Sequence, residues 1–189
     1  ALKEVQPAPL DASQITARLG STWIDTNIYR QFILKLLDVN RWWHDSIFVE
    51  YEEHTGSYTV KRNINAVGTA ATSVYGTERM DAFKIFEHCL NLKSPKIYDT
   101  VTDVDGKEKR VLNQPETVAA REKQKKIQDA FKEWIFDRPE RREHLVNKYN
   151  GIFNHTVVQT YDGSYLEFPE MSPLITLKDY QKDAVDRML

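Results

Sequence analysis

The sequence contains few of the residues that mark specialised classes of protein. Its 189 residues include one cysteine, so neither an internal disulfide nor a zinc site built on several thiolates can form. Seven glycines and seven prolines argue against collagen-like and low-complexity chains. Apolar runs are too short for a membrane-spanning helix, and the first residues lack the hydrophobic core of a signal peptide. These absences predict a cytoplasmic globular protein with no membrane partner.

The whole chain has no large excess of positive or negative charge, although one segment does carry a local excess. The formal net charge is −2, so no strongly basic field indicates nucleic acid. Residues 107–148, however, contain 12 basic and 8 acidic side chains, a local excess of 4 positive charges that leaves −6 for the rest. Any anionic partner is therefore expected to contact this segment.

The motifs of common enzymes and metal sites are missing as well. There is no phosphate-binding G-x-x-x-x-G-K-[ST], no G-x-G-x-x-G, no G-x-S-x-G and no H-E-x-x-H. His88 and Cys89 are adjacent on a predicted helix and point to different sides. Asp103-x-Asp105-Gly106 resembles the start of a calcium loop, but Gln114 stands where the loop needs its bidentate Glu. We predict no metal and no cofactor for this chain itself.

Hydrophobic periodicity predicts an α+β fold in which helices pack with short antiparallel hairpins. Hairpins are predicted around residues 54–57 and around Asp105-Gly106, and a third extended pair (156–161 with 165–168) around Asp162-Gly163. Residues 65–77 read as a loop. The predicted helices are Ser13–Leu19, Asp25–Val39, Glu78–Leu92 with Thr77 as its cap, a long helix entered through Asn113 and Pro115, Pro139 to a stop at Gly151, and Leu177–Leu189.

The ends of the chain predict that it is a piece of a larger protein. It begins without Met, and its last amphipathic pattern runs into Leu189 with no glycine or proline to stop it. We expect an extended N-terminal segment over 1–14, an α+β connector domain over 15–176, and the start of a further domain over 177–189.

The long predicted helix carries a basic face. Arg121, Lys125 and Lys132 fall on one side of it, and such a face can lie along a phosphate backbone. A solvated helix with ion pairs between neighbouring turns has a similar pattern, so both interpretations stay open. The acidic residues that interleave are Glu122, Asp129 and Glu133.

Aromatic and acidic residues give two weaker candidates. Adjacent residues cannot share one face, so one of Trp42 and Trp43 is expected to be exposed, where it could stack on an unpaired base. Trp134 belongs to the predicted core stripe. Glu50 and Glu52 share one strand face, and we interpret that face as the solvated side rather than a catalytic pair.

Three segments near the C-terminus, and one near the N-terminus, resemble a known arrangement. The segments are Tyr149-Asn150-x-x-Phe153-Asn154, Tyr161-Asp162-Gly163-Ser164-x-Leu166-x-Phe168-Pro169-x-Met171, Leu177-x-x-Tyr180-Gln181-x-x-Ala184-Val185-x-Arg187 and Ala17-Arg18-Leu19-Gly20-x-x-Trp23-Ile24. The first three resemble the segment just before the helicase core in very large proteins of phages, plasmids and conjugative elements, which join an adenine-specific DNA methyltransferase region to a Swi/Snf-like superfamily 2 helicase. The fourth resembles the stretch that leaves the methyltransferase part.

The resemblance implies a role between two catalytic engines, neither of which is present. The methylase N-P-P-[YF] motif and the helicase phosphate loop do not occur in the sequence. Residues 177–189 would be the first, truncated helix of the helicase core. Gln181 would occupy the position that reads the adenine of ATP, a task that suits a carboxamide because it both donates and accepts. The parent protein would use ATP with Mg and S-adenosylmethionine.

The sequence therefore predicts a non-catalytic connector that contacts DNA and the flanking domains of its own polypeptide. DNA contact is assigned to Arg121, Lys125 and Lys132. Two alternatives remain open: a purely structural interaction module that never touches DNA, and a small enzyme that uses the Thr- and Ser-rich loop 65–77.

Overall fold

The computed structural model describes residues 7–62, 68–103, 106–154, 161–169, 171–172 and 174–189. It confirms the predicted α+β class: helices pack with two small antiparallel sheets of two strands each. The chain forms two compact units, Pro9–Ile152 and, together, Ala1–Ala8 with Phe153–Leu189. These units divide the chain at other positions than the predicted functional boundaries at 14/15 and 176/177, which remain predictions.

The larger unit contains most of the secondary structure. Strands β1 and β2 pair in antiparallel register with Val49 opposite Val60, and β3 and β4 pair with Thr100 opposite Arg110. The elements are α1 (Thr26–Leu36), a 3₁₀ stretch (Arg41–Ser46), β1 (Ile47–Glu52), β2 (Ser57–Arg62), a π-helical turn (Ala70–Val74), α2 (Ala82–Leu90), β3 (Tyr98–Thr102), β4 (Glu108–Leu112), α3 (Gln114–Ile135) and α4 (Pro139–Phe153).

One aromatic cluster joins α1, α2 and α3 at the centre of this unit. Phe32 of α1 meets Phe131 of α3 edge-to-face, with 5.0 Å between ring centroids, and lies 5.9 Å from Phe86 of α2. All three side chains are fully buried. Burial of each such ring contributes about 1.5–3 kcal/mol, so this cluster fixes how the three helices pack.

Helix α3 begins and runs as its sequence predicts. The Asn113 side chain accepts a hydrogen bond from Glu116 N–H at 3.0 Å, and Pro115 lies in the first turn. Ile127, Phe131 and Ile135 form the buried stripe, while Ala130 and Trp134 are partly buried beside it.

Two predicted helix starts are wrong. Residues 13–19 form a turn followed by an extended segment, in which Ile15, Ala17 and Leu19 are buried alternately. That period of two is typical of extended chain. Helix α2 begins at Ala82 rather than Glu78, because Asp81 caps it by accepting from Lys84 N–H at 3.0 Å.

Of three predicted turns or stops, the one at Gly151 and the extended pair around Asp162-Gly163 differ from the structure. Helix α4 passes through Gly151 and ends at Phe153, so this glycine is not its stop. The second hairpin forms as predicted, with β3 ending at Thr102 and β4 beginning at Glu108; Gly106 has φ +74° and Asp105 lies outside the described residues. Residues 165–168 contain the end of a 3₁₀ turn, Gly163–Tyr165, instead of a strand, and 156–160 lie outside the described residues.

The predicted loop 65–77 and the N-terminal segment are only partly described. Residues 63–67 and 1–6 lie outside the described residues. Residues 70–74 form the π-helical turn, and residues 7–14 contain a turn but neither helix nor strand. Among the described residues, no helix combines the length and apolar character needed to cross a membrane.

Candidate nucleic-acid interface

The three predicted phosphate contacts lie on one flank of α3. Arg121, Lys125 and Lys132 are exposed. At about 100° per residue, they lie roughly a quarter-turn or more from the centre of the buried stripe. The row that faces most directly away from the core is acidic, and it consists of Glu122, Asp129 and Glu133.

Two of these three cations are already engaged within the molecule. Arg121 Nε donates to Pro95 O at 3.4 Å, and Lys132 Nζ pairs with Asp129 at 3.2 Å. Lys125 makes no ion pair with any described residue. On this flank, Lys125 is therefore available to a phosphate, whereas Arg121 and Lys132 would first have to give up weak contacts within the molecule.

The opposite flank of α3 contacts the π-helical turn Ala70–Val74 and the residue that follows it. Lys123 Nζ donates to Ser73 O at 2.7 Å and to Val74 O at 3.2 Å, where the π-helical turn ends. Lys126 Nζ lies 4.8 Å from the centroid of the Tyr75 ring. The structure thus gives these two lysines a packing role.

A cationic groove that the sequence analysis missed lies between α1 and the corner where α3 meets α4. Three polar side chains of α1, Asn27, Gln31 and Lys35, are spaced four residues apart and line one wall. Trp134, Arg138 and Arg141 contribute to the other side. The cavity volume is about 610 Å³.

Arg141 fixes the α3–α4 side of the groove. Its Nε donates to Ile135 O at 2.8 Å and its Nη2 donates to Trp134 O, which satisfies carbonyls at the C-terminal end of α3. The guanidinium also lies 3.6 Å from the centroid of the Trp134 ring. Burial lowers the pKa of Arg141, and the neighbouring charge of Arg138 lowers it further, so two cations are held close together here.

The groove carries more positive than negative charge. Four cationic side chains, Arg30, Lys35, Arg138 and Arg141, line it with one carboxylate, Asp38. Arg30 is committed, since its Nε donates to Ile47 O at 2.7 Å and its Nη2 to His44 O at 2.6 Å. Neither Lys35 nor Arg138 forms an ion pair within the described ranges, so both are available to an anion.

The groove continues past Gln31 toward Asp25 and Glu140. Asp25 accepts from Lys148 Nζ at 2.5 Å and lies 3.3 Å from His144 Nε2. The Lys148 ammonium holds the pKa of Asp25 below its ordinary value, with His144 adding to the effect against the opposing effect of burial. This end of the groove is therefore close to neutral, and the net positive charge is concentrated between Lys35 and Arg138.

The sequence held a signal for this groove. Asn27, Gln31 and Lys35 form a polar row on the predicted helix Asp25–Val39, and Arg138 and Arg141 belong to the basic segment 107–148. What the sequence lacks is the pairing of these two surfaces, which depends on how α1 packs against α3.

Trp42 is the exception among the four tryptophans. It is 89% exposed, whereas Trp23, Trp43 and Trp134 are partly buried against the core. One exposed tryptophan at 42–43 is what the sequence predicted. Trp42 lies in the 3₁₀ stretch, two residues before His44, which lines the groove.

The smaller unit brings two of the resemblance segments together. Gly163 N–H donates to Asp183 Oδ1 at 2.9 Å and Tyr165 Oη donates to Asp186 Oδ1 at 2.5 Å, both on α5 (Asp179–Asp186). A Cβ on Gly163 would lie 2.1 Å from Lys182 O. Glycine is thus the residue that permits this turn to contact the helix backbone.

Gln181 lies in the first turn of α5 and is exposed. Its Oε1 accepts from Lys178 N–H at 2.9 Å, so the carboxamide caps its own helix. The helix buries none of its residues, and Tyr180 is 66% exposed. The predicted amphipathic helix therefore has no fully buried residue between Asp179 and Asp186, and Gln181 keeps its NH₂ group and the second lone pair of Oε1 for an adenine beside its cap bond.

The remaining candidates have structural explanations. Cys89 is fully buried, and burial raises its pKa to about 12, which leaves an unreactive thiol. Glu50 pairs with Lys61 at 2.6 Å on the exposed strand face. In the part of the chain that the structure describes, no group of three His, Cys, Asp or Glu side chains is placed to hold a metal ion.

Comparison with known proteins places the larger unit in a family. Residues 18–155, 138 of the 189, match the model of the family described as a domain of unknown function, DUF8437. The chain belongs to this family. The match covers nearly the same residues as the unit Pro9–Ile152, so the domain of unknown function and the packed core coincide. No curated protein and no solved structure matches the chain.

Proposed function

We propose that this chain is a non-catalytic, DNA-contacting connector within a protein that joins an adenine-specific DNA methyltransferase to a Swi/Snf-like superfamily 2 helicase. The observation that carries DNA contact is the groove, where Lys35 and Arg138 are uncommitted cations beside the amides of Asn27 and Gln31. Ammonium, guanidinium and amide N–H groups are the donors that bind phosphate oxygens.

The proposed contact positions the protein on DNA and does not recognise a base sequence. Phosphate contacts fix the register of a protein on DNA and carry no sequence information. With two or three such contacts, binding is weak, and the log–log salt slope is about −2 to −3. Arg121, Lys125 and Lys132 would supply a second, weaker contact, because only Lys125 is free of internal partners in the described structure.

The connector role rests on the resemblance, and the smaller unit supplies support for it. The Tyr161–Met171 and Leu177–Arg187 segments, recognised separately in the sequence, contact one another through Gly163 and α5. In the parent, Gln181 would read the adenine of ATP bound with Mg, S-adenosylmethionine would serve the methyltransferase, and the flanking domains would be partners. The proposal places the protein in the cytoplasm, with the DNA it contacts.

A purely structural module is the second candidate, and the committed cations of α3 favour it. Arg121, Lys123 and Lys132 all have partners inside the molecule. An enzyme built on loop 65–77 has less support, since the Thr72 and Ser73 hydroxyls both donate to Thr69 O.

A salt-dependent titration of a labelled 20-base-pair duplex tests the proposal. The double variant Lys35→Glu, Arg138→Glu is expected to bind at least tenfold more weakly and to lower the log–log salt slope by about 2. The matched control, Lys96→Glu with Lys109→Glu, changes the same charge at exposed positions away from the groove. Replacing Arg121, Lys125 and Lys132 by Glu is expected to have a smaller effect. If the groove variant and the control bind alike, the groove does not contact DNA.

A further inference from the structure

The connection between α1 and β1, which carries Trp42, is held by hydrogen bonds at both of its ends. Asp38, Val39 and His44 line the groove from the connection between α1 and β1. The Asn40 side chain accepts from Trp42 N–H at 3.1 Å, and His44 Nε2 lies 2.9 Å from Val39 O. Arg30 donates to the carbonyls of His44 and Ile47. The backbone that presents Trp42 is therefore held from both ends.

The indole of Trp42 is exposed on a backbone that these contacts hold in place. Trp43 packs against the core, yet Trp42 leaves nearly its whole surface in water. The hydrophobic effect favours covering such a ring, and the π-face of an indole stacks well on a nucleobase. Arg41, which is also exposed, precedes it and adds a further cation at the same place.

We propose that the groove and Trp42 together bind single-stranded DNA: Lys35 and Arg138 hold phosphates, and Trp42 stacks on an unpaired base. This inference rests on the proposed DNA contact and adds the form of DNA that is preferred. Duplex DNA keeps its bases stacked inside, so it can use the cations but not the indole. A cationic channel combined with an aromatic platform is the arrangement by which single strands are bound without sequence preference.

The chemistry distinguishes this ligand from a small anion. A phosphate would occupy the cations alone, whereas a strand carries several phosphates and bases and can use the cations and Trp42 together, since Trp42 lies in the same 3₁₀ stretch as the groove residue His44. Asp38 lies in the same wall, and it repels a backbone less when salt is present. Stacking of a base on Trp42 depends little on salt, whereas the phosphate contacts depend on it. The salt dependence of binding therefore separates the two contributions.

Binding of two oligonucleotides of the same length tests the inference. One is a 12-nucleotide thymidine strand and the other is its abasic counterpart, which has the same phosphates and no bases. The wild-type chain is expected to bind the thymidine strand about tenfold more tightly, with quenching of Trp42 fluorescence. Trp42→Ala should remove that preference, and Trp42→Phe should keep most of it.

The outcomes separate the two proposals. If Trp42→Ala keeps the base preference, or if the wild type shows none, the stacking inference is wrong while binding that depends on Lys35 and Arg138 still supports DNA contact. If the Lys35→Glu, Arg138→Glu variant binds both strands as tightly as the Lys96→Glu, Lys109→Glu control, the proposed DNA contact through the groove fails as well. Equal circular dichroism spectra for all variants show that each has folded.

Discussion

Asp81 shows how one side chain of this fold can serve two purposes. It caps α2 through Lys84 N–H and pairs with Arg62, whose guanidinium also lies 4.7 Å from the centroid of the Phe83 ring. Both charged groups are about three-quarters buried. Removing the carboxylate therefore leaves a helix end uncapped and a partly buried cation unpaired.

Asp81→Ala is expected to lower the free energy of unfolding by about 2 kcal/mol, and Asp81→Asn by about 1 kcal/mol, because Asn keeps the cap and loses the ion pair. Urea denaturation with an unchanged m-value measures both. Glu50→Ala is the control, since its ion pair with Lys61 is exposed and worth little. If Asp81→Ala lowers the free energy of unfolding no more than Glu50→Ala does, the cap and the ion pair of Asp81 do not stabilise the fold.

The sequence and the structure assign different roles to Gln181. The resemblance assigns its carboxamide to adenine, and the structure finds it capping α5. We expect Gln181→Ala to speed amide exchange across Asp179–Asp186 several-fold, and Gln181→Glu to preserve protection because its carboxylate still accepts at the helix start. Hydrogen exchange read by mass spectrometry decides this. Equal protection in the wild type and in Gln181→Ala would mean that the cap contributes nothing.

At the scale of elements, Gly151 gives a direct test of where α4 ends. The structure places it inside the helix, with no atom within 4 Å of the position a Cβ would take. Gly151→Ala is therefore expected to raise the free energy of unfolding by about 0.5–1 kcal/mol. The contrasting variant is Gly20→Ala, where φ is +86° and the Cβ would lie 2.4 Å from Leu90 O.

Gly20→Ala should lower that free energy by about 2–4 kcal/mol, since the left-handed backbone and the contact both oppose a side chain. Thermal unfolding of the two variants beside the wild type gives the comparison. Destabilisation by Gly151→Ala would instead support the helix stop that the sequence predicted.

An element was predicted correctly when the residues that determine it all lie within that element, and wrongly when a tertiary contact decides its structure. Helix α3 was predicted correctly because Asn113, Pro115 and the Ile127–Ile135 stripe are all signals within one element. Ile15, Ala17 and Leu19 were assigned to a helix because their spacing allows two periods over so short a run, and the core selected the extended one. The start of α2 moved because Asp81, not Thr77, gained a tertiary partner in Arg62.

At the scale of the whole molecule, the candidate site depends on contacts that no local pattern encodes. The basic flank of α3 and an ion pair such as Lys132 with Asp129, one turn away, were predictable from spacing, but the contact of Arg121 with Pro95 O was not. The groove needs α1 and the α3–α4 corner to meet across about a hundred residues of sequence. Their meeting depends on the buried contact of Phe32 with Phe131 and Trp134.

The other proposals all depend on the binding of DNA in this groove. Amide chemical-shift mapping of the ¹⁵N-labelled 189-residue chain during titration with the thymidine strand tests that binding residue by residue. We expect salt-sensitive shifts concentrated at Asn27, Gln31, Lys35, Trp42 and Arg138. No shift at any concentration, or shifts that spare α1 and the start of α4, would contradict it.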